Sequence, residues 1–285
     1  MPVQTSALGV DLEAHTVDIT TRMTLAFAAG VGDVGPRTFD DAASAGLMAP
    51  PAFCARLEWG VLLAGRIGVL GVDEAERARG VHVEQDSTFH RPVRPGDRLT
   101  TQGTVVGIRT TSAGALVRTE FRTTETATGA PVVTSWHSSI FRGVTVEGAG
   151  GSVAEAPSCP RALESLGETG TISIDRAAAH IYTECASIWN PIHSERRVAL
   201  AQGLPDVILH GTATWAMVGR EIVSRYGSAD PGRLRRLRAK FKAPVIPGHD
   251  VTLLHGRDEN DVVHFRVINH LGETALADGL AQLEM

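Results

Sequence analysis

A block of twelve residues that occurs twice constrains this chain more than any other feature of its sequence. Phe89 to Thr100 reads FHRPVRPGDRLT and Phe241 to Thr252 reads FKAPVIPGHDVT, so Phe, Pro-Val, Pro-Gly and Thr recur at an offset of 152. A second echo, at offset 155, sets Phe27 and Pro36 against Tyr182 and Pro191. Two separate segments that keep their order and agree on nearly one spacing point to a duplication with one short insertion. A chain of 285 residues built this way divides into two units of about 140 residues, each long enough to bury a core.

The join between the halves is visible in composition. Val146 to Ser158 (VEGAGGSVAEAPS) is rich in turn formers and poor in large apolar groups, which predicts a flexible connector at 146–158 between halves at 1–145 and 159–285. After each Pro-Gly the apolar residues alternate in the manner of strands: Leu99, Val105, Ile108, Val117 and Phe121 in the first half, Val251, Leu253, Phe265 and Val267 in the second. Ala52 to Ile67 and Thr212 to Tyr226 are apolar on most faces, which predicts one buried helix per half. A long helix against an antiparallel meander, occurring twice, is an α+β architecture.

Charge and cysteine content narrow the range of partners. With 27 basic and 32 acidic residues and no long block of one sign, the chain is a poor binder of nucleic acid. The densest basic stretch, Arg233 to Lys242 (RLRRLRAKFK), reads foremost as a solvated strand approach, although a nucleotide phosphate would suit the same residues. Cys54, Cys159 and Cys185 are few and odd in number, which argues against a disulfide framework and fits a reducing cytoplasm. No apolar run reaches the roughly 18–20 residues of a membrane span, and the N-terminus lacks a basic-then-apolar export signal. His90 and His249-Asp250 have no third partner at ligand spacing, so no metal is expected.

The segment richest in chemistry runs from Tyr182 to Ala216, YTECASIWNPIHSERRVALAQGLPDVILHGTATWA. Proline fixes its own φ and pushes the preceding residue toward extended geometry, so Asn190-Pro191 forms a rigid turn that presents His193 at a fixed spot. A histidine titrates near neutrality and can take a proton from water and return one to carbon. A lone histidine in such a place more often caps a helix. Leu209-His210-Gly211 stands at the start of the second buried helix, where backbone N–H groups are free and the helix dipole favours developing negative charge. Close packing of helix on sheet explains Gly211 about equally well, His210 reads as packed with a hydrogen bond, and Tyr182 and Trp189 are candidates for core or for a channel wall.

Asn190-Pro191-Ile192-His193 followed by Leu209-His210-Gly211 resembles the MaoC-like (R)-specific enoyl hydratase and dehydratase family. Gly46 to Phe53 (GLMAPPAF) and His90 to Asp97 (HRPVRPGD) resemble the degenerate N-terminal hotdog of its double-hotdog members. The resemblance implies a double hotdog. It also implies a hydro-lyase that moves water across a 2-enoyl or 3-hydroxyacyl thioester of coenzyme A or an acyl carrier, needing no cofactor. His193 and Asn190 would be catalytic, with Gly211, His210, Tyr182, Ile188 and Trp189 around the substrate. A homodimer of double hotdogs is one assembly open to such a chain. The family motif is Asp-x-Asn-Pro-x-His, and the position five before His193 is Ile188, so the carboxylate partner is absent. Two rival functions follow from that gap: a thioesterase or tailoring enzyme on the same scaffold, or a non-catalytic module that binds acyl thioesters. Glu184 and Glu195 are the nearest carboxylates in sequence, and offset 155 carries Ile188 onto Asp33 and His193 onto Thr38.

Overall fold

The computed structural model describes residues 1–161, 163 and 165–284, without the side chains at 64, 66 and 67. These residues form two compact units. The first takes in Met1–Val17, Leu57–His90 and Arg98–Arg161; the second takes in Asp18–Arg56, Arg91–Asp97 and the described residues of Ala162–Met285. The units therefore interleave in sequence, since residues 18–56 and 91–97 come from the first half of the chain but pack in the second unit.

In chain order the main elements are β1 (His15–Asp18), α1 (Thr21–Gly30), α2 (Cys54–Leu70), β2 (Gly80–Phe89), β3 (Arg98–Thr111), β4 (Gly114–Glu125) and β5 (Pro131–Arg142). They continue with β6 (Glu168–Ile172), α3 (Ala178–Ala186), α4 (Arg196–Ala201), α5 (Gly211–Tyr226), β7 (Leu234–Phe241), β8 (Val251–Arg257), β9 (Val263–Ile268) and β10 (Thr274–Leu283). In the first unit the strand order is β1-β3-β4-β5-β2, and in the second it is β6-β8-β9-β10-β7. The two orders are the same permutation; β3-β4, β4-β5 and β5-β2 in the first unit, and all four neighbour pairs in the second, are antiparallel. The duplicated sequence thus folds into duplicated topology.

In the first unit, Val61 and Leu70 of α2 join Val105, Ile108, Val117, Phe121 and Phe141 of the sheet in one buried cluster. Each such side chain, taken fully out of water, contributes about 1.5–3 kcal/mol. The helix is not buried on all faces as its apolarity predicts, because Leu63 is 50% exposed. In the second unit α5 buries Trp215 and Ile222. A Cβ added at Gly219 would lie 3.0 Å from a Leu237 methyl, so this helix sits close on β7. Its outer face, with Ser224 and Arg225, is exposed. These are hotdog units, a long helix held against an antiparallel sheet.

The repeated Pro-Gly turns have one geometry. Gly96 (φ +92°) and Gly248 (φ +90°) both occupy the left-handed region that glycine alone enters without strain. Gly96 N–H donates to Ile19 O at 2.8 Å and Gly248 N–H to Ile174 O at 2.9 Å. The acceptors, too, are counterparts at offset 155.

Within the second unit α1 packs against its own counterpart α3. Phe27 and Tyr182 meet edge to face at 5.9 Å between centroids, and a Cβ on Gly30 would come within 2.7 Å of the Cys185 Cβ. The basic stretch forms β7 with its charges largely matched: Lys240 Nζ lies 2.8 Å from Asp278, Arg238 donates to the Asp278 carbonyl at 3.0 Å, and Arg235 pairs with Glu284. The 146–158 segment carries two short strands, Val146–Glu147 beside Val3–Gln4 and Gly151–Ser152 beside β3. No helix among the described residues is long and apolar enough to cross a membrane.

Candidate active site

His193 closes a 3-10 turn, Pro191–His193, between α3 and α4. The turn forms where the sequence predicts. Pro191 occupies its first position, Asn190 caps it in extended geometry (φ −149°, ψ 125°), and Asn190 Oδ1 accepts the Ile192 N–H at 3.3 Å. Asn190 therefore shapes the turn. His193 N–H donates to Asn190 O at 3.0 Å, which fixes the base of the side chain.

The imidazole is oriented by a backbone group. His193 Nδ1 lies 2.8 Å from the carbonyl of Ile208, which can only accept, so Nδ1 carries the proton and Nε2 keeps its lone pair. The ring stacks on His210, with centroids 3.6 Å apart and planes 23° from parallel. Burial pushes the His193 pKa down to about 4 against the pull of the Ile208 bond. At neutral pH the ring is an uncharged base with a free nitrogen.

His210 is almost fully buried, at 2% exposure. Its Nε2–H donates to Ile188 O at 3.0 Å, its ring meets Tyr182 at 4.9 Å, and burial followed by the neighbouring His193 holds it well below the usual histidine range. Its Nδ1 has no hydrogen-bond partner. Tyr182 is wholly buried and donates its hydroxyl to Thr212 Oγ1 at 3.1 Å. His193 stacked on His210, and Tyr182 tilted at 57° against His210, thus form a contiguous cluster of rings. Trp189, by contrast, is 57% exposed beside the turn.

Gly211 begins α5, and its own N–H and that of Thr212 precede the first intrahelical donors, Ala213 and Thr214, which both reach His210 O. A Cβ at Gly211 would lie 2.9 Å from the Phe241 ring, so glycine here lets the helix start close against β7. Gly211 thus combines the packing role with one N–H outside the helix's own bonding, and Thr212 supplies a second.

Ile188 is buried at 6% exposure and bonds through its backbone alone, giving its N–H to Thr183 O at 3.1 Å and its carbonyl to His210. Glu184 and Glu195 are both exposed. Among the described residues no carboxylate makes a hydrogen bond or ion pair with His193. Nor does any group of three His, Cys, Asp or Glu among them stand ready to hold a metal ion. The Ile208 carbonyl and Thr212 are site groups that the sequence reading missed. A carbonyl that sets a tautomer leaves no trace in residue type, although Thr212 sits one residue past the His-Gly pair.

Two hotdog units and a histidine-bearing turn stacked against the start of one central helix define a double-hotdog protein. Residues 6–135 match the FAS1-like dehydratase domain region and residues 162–274 match the MaoC like domain. The chain belongs to the MaoC-like dehydratase family. The 3-hydroxyacyl-thioester dehydratase Y of Mycobacterium tuberculosis is 25% identical to it over 293 residues, covering 98% of this chain and 94% of that protein. A crystal structure of a MaoC-like dehydratase from Phytophthora capsici superimposes with a TM-score of 0.86 at 18% identity over 98% of both chains. A further Mycobacterium tuberculosis structure, described as a double hotdog, reaches a TM-score of 0.62 at 15% identity, covering 98% of this chain and 96% of that one.

Proposed function

We propose that this chain is a hydro-lyase that interconverts a 2-enoyl and a 3-hydroxyacyl thioester, with coenzyme A or an acyl carrier as handle. The observation that carries this reading is the His193 imidazole, neutral at physiological pH, its proton fixed on Nδ1 by Ile208 and its Nε2 free. In hydration, Nε2 takes a proton from water as the water oxygen bonds to C3. The electron pair of the C2–C3 double bond moves onto the thioester carbonyl as an enolate. The N–H groups of Gly211 and Thr212, at the positive end of α5, stabilise that oxygen. His193 then returns its proton to C2, so that one water has been added; dehydration is the reverse. His210 and Tyr182 back the His193 ring, Asn190 holds its turn, and Ile188 and Trp189 border the site.

The residue at 188 favours a second reading, because a buried isoleucine cannot help to hold the water. A thioesterase or a binding module on this scaffold would not need that carboxylate. Assay of the full chain with crotonyl-CoA separates the three: loss of the conjugated thioester with 3-hydroxybutyryl-CoA as product supports the hydratase. Release of free CoA thiol replaces it with the thioesterase, and ligand protection without turnover leaves the binding module. A cytoplasmic setting and a homodimer of double hotdogs belong to the same proposal.

A further inference from the structure

The counterpart of the His193 turn lines a cavity of its own. Residues of the 32–38 turn, the Pro50–Ala52 segment and the C-terminal half of α5 line a cavity of about 270 Å³, close to the lower end of small-ligand pockets at about 300–1,000 Å³. Ala216, Val223 and Leu237 give it an apolar wall. Two arginines reach it. Arg220 is fully engaged, its Nη1 donating to the Val31 and Gly32 carbonyls at 2.9 Å each and its Nη2 to Glu221 at 2.8 Å. Arg37 is not: its guanidinium forms no ion pair or hydrogen bond with any described residue, and its Nε is buried without a partner.

A buried guanidinium N–H with no acceptor is a rare arrangement in a folded protein, and the Nη groups of Arg37, likewise without a described partner, are what an acceptor in the cavity would meet. The carboxylates already at the cavity do not serve. Asp33 Oδ1 accepts the Thr38 hydroxyl at 2.8 Å, and Glu221 lies between Arg220 and Arg225. The planar fork of arginine matches a carboxylate best. A dianion would meet Asp33 and Glu221, so a single negative charge fits better.

We infer that this cavity is a second ligand site, taking a small monocarboxylate whose head pairs with Arg37 and whose short apolar chain lies along Ala216, Val223 and Leu237. It binds without turnover, because Thr38 stands where the other turn has His193 and the carboxylates at the cavity, Asp33 and Glu221, are already taken up by Thr38 and by Arg220 and Arg225. The site is independent of the reaction proposed for His193.

Calorimetric titration of the full chain with hexanoate, together with ω-bromohexanoate soaked into its crystals, tests the inference. The expected result is anomalous bromine density in this cavity and a saturable isotherm that His193→Ala leaves unchanged. Arg37→Met should weaken binding by roughly ten-fold or more, as loss of a charge-assisted pair does. Ser224→Trp, a change at an exposed position of α5 on the cavity's edge, should abolish it by filling the space, and it keeps the test valid if the Arg37 variant does not fold. Bromine density only beside His193, no saturable heat from the wild type, or wild-type isotherms from a folded Arg37 or Ser224 variant would overturn it.

Discussion

The turn at 188–193 and its counterpart at 33–38 share a backbone and divide the chemistry between them. In one, His193 N–H closes onto Asn190 O at 3.0 Å; in the other, Thr38 N–H closes onto Gly35 O at 3.1 Å. Pro191 and Pro36 occupy the same place in each. The first turn carries an imidazole, His193, and has Ile188 buried five residues before it, where the motif it resembles has aspartate. The second keeps an acid, Asp33, and has a threonine where the base would be, so the carboxylate is taken up by the Thr38 hydroxyl at 2.8 Å. The same turn geometry accommodates different side chains because it depends on proline and backbone bonds rather than on the residues at 33, 38, 188 and 193.

The largest effect expected is from separating the two turns. Both lie in the second unit, where Phe27 and Gly30 of α1 pack on Tyr182 and Cys185 of α3, and Arg56 Nη1 donates to Ser187 Oγ at 2.6 Å. A fragment of residues 159–285 lacks all of α1 and leaves that face bare, so it should aggregate and show no activity. A monomeric, active fragment by size exclusion and assay would break the comparison. Next is His193→Ala, for which a loss of kcat/KM of roughly 10²- to 10⁴-fold is expected of a general base. Thr38→Ala should stay within about two-fold, costing about 1 kcal/mol of stability through its lost hydrogen bond. Equal losses in both variants would deny that the turns have diverged.

Ile188→Asp restores the acid to the turn that has the base and should raise hydration of crotonyl-CoA by roughly ten-fold, at some cost in stability for a carboxylate at a buried position. An unchanged rate in a folded variant would show that the missing acid is not what limits the site. The smallest effect is in pH dependence. With the His193 pKa at about 4, kcat/KM should hold level from neutrality downward and fall with unit slope only near that value. The linked stability runs the same way. Between the unfolded value of 6.5 and about 4, the unfolded chain binds a proton that the folded chain refuses, so stability drops as pH falls through that window and is indifferent to this group above it. An activity limb near 6.5 would mean that the ring is wetter than its burial implies.

Much of the site was legible because local rules fixed it. Asn-Pro before a histidine announces a turn, and His-Gly before an apolar run announces a helix start; both formed at those residues. What sequence could not give was the partner of each ring. His193 takes its tautomer from the carbonyl of Ile208, 15 positions away, and His210 is tied to the carbonyl of Ile188, 22 positions away. Every residue has a carbonyl, so type and spacing carry no signal for either bond. Trp189 and Tyr182, alike as aromatics in sequence, end at 57% and 0% exposure, because only Tyr182 lies on the face of α3 that meets α1.

The sequence by itself determined the duplication, the strand meanders, the two central helices and the proline-fixed turn, since each rests on periodicity or on a backbone restriction within a few residues. Tertiary structure alone decided that residues 18–56 pack in the second unit. It also decided that the Asp33 turn opens on a cavity with an unpaired Arg37, and that His193 is held neutral with Nε2 free. Those outcomes depend on burial and on contacts between residues far apart in the chain, and desolvation has no local code.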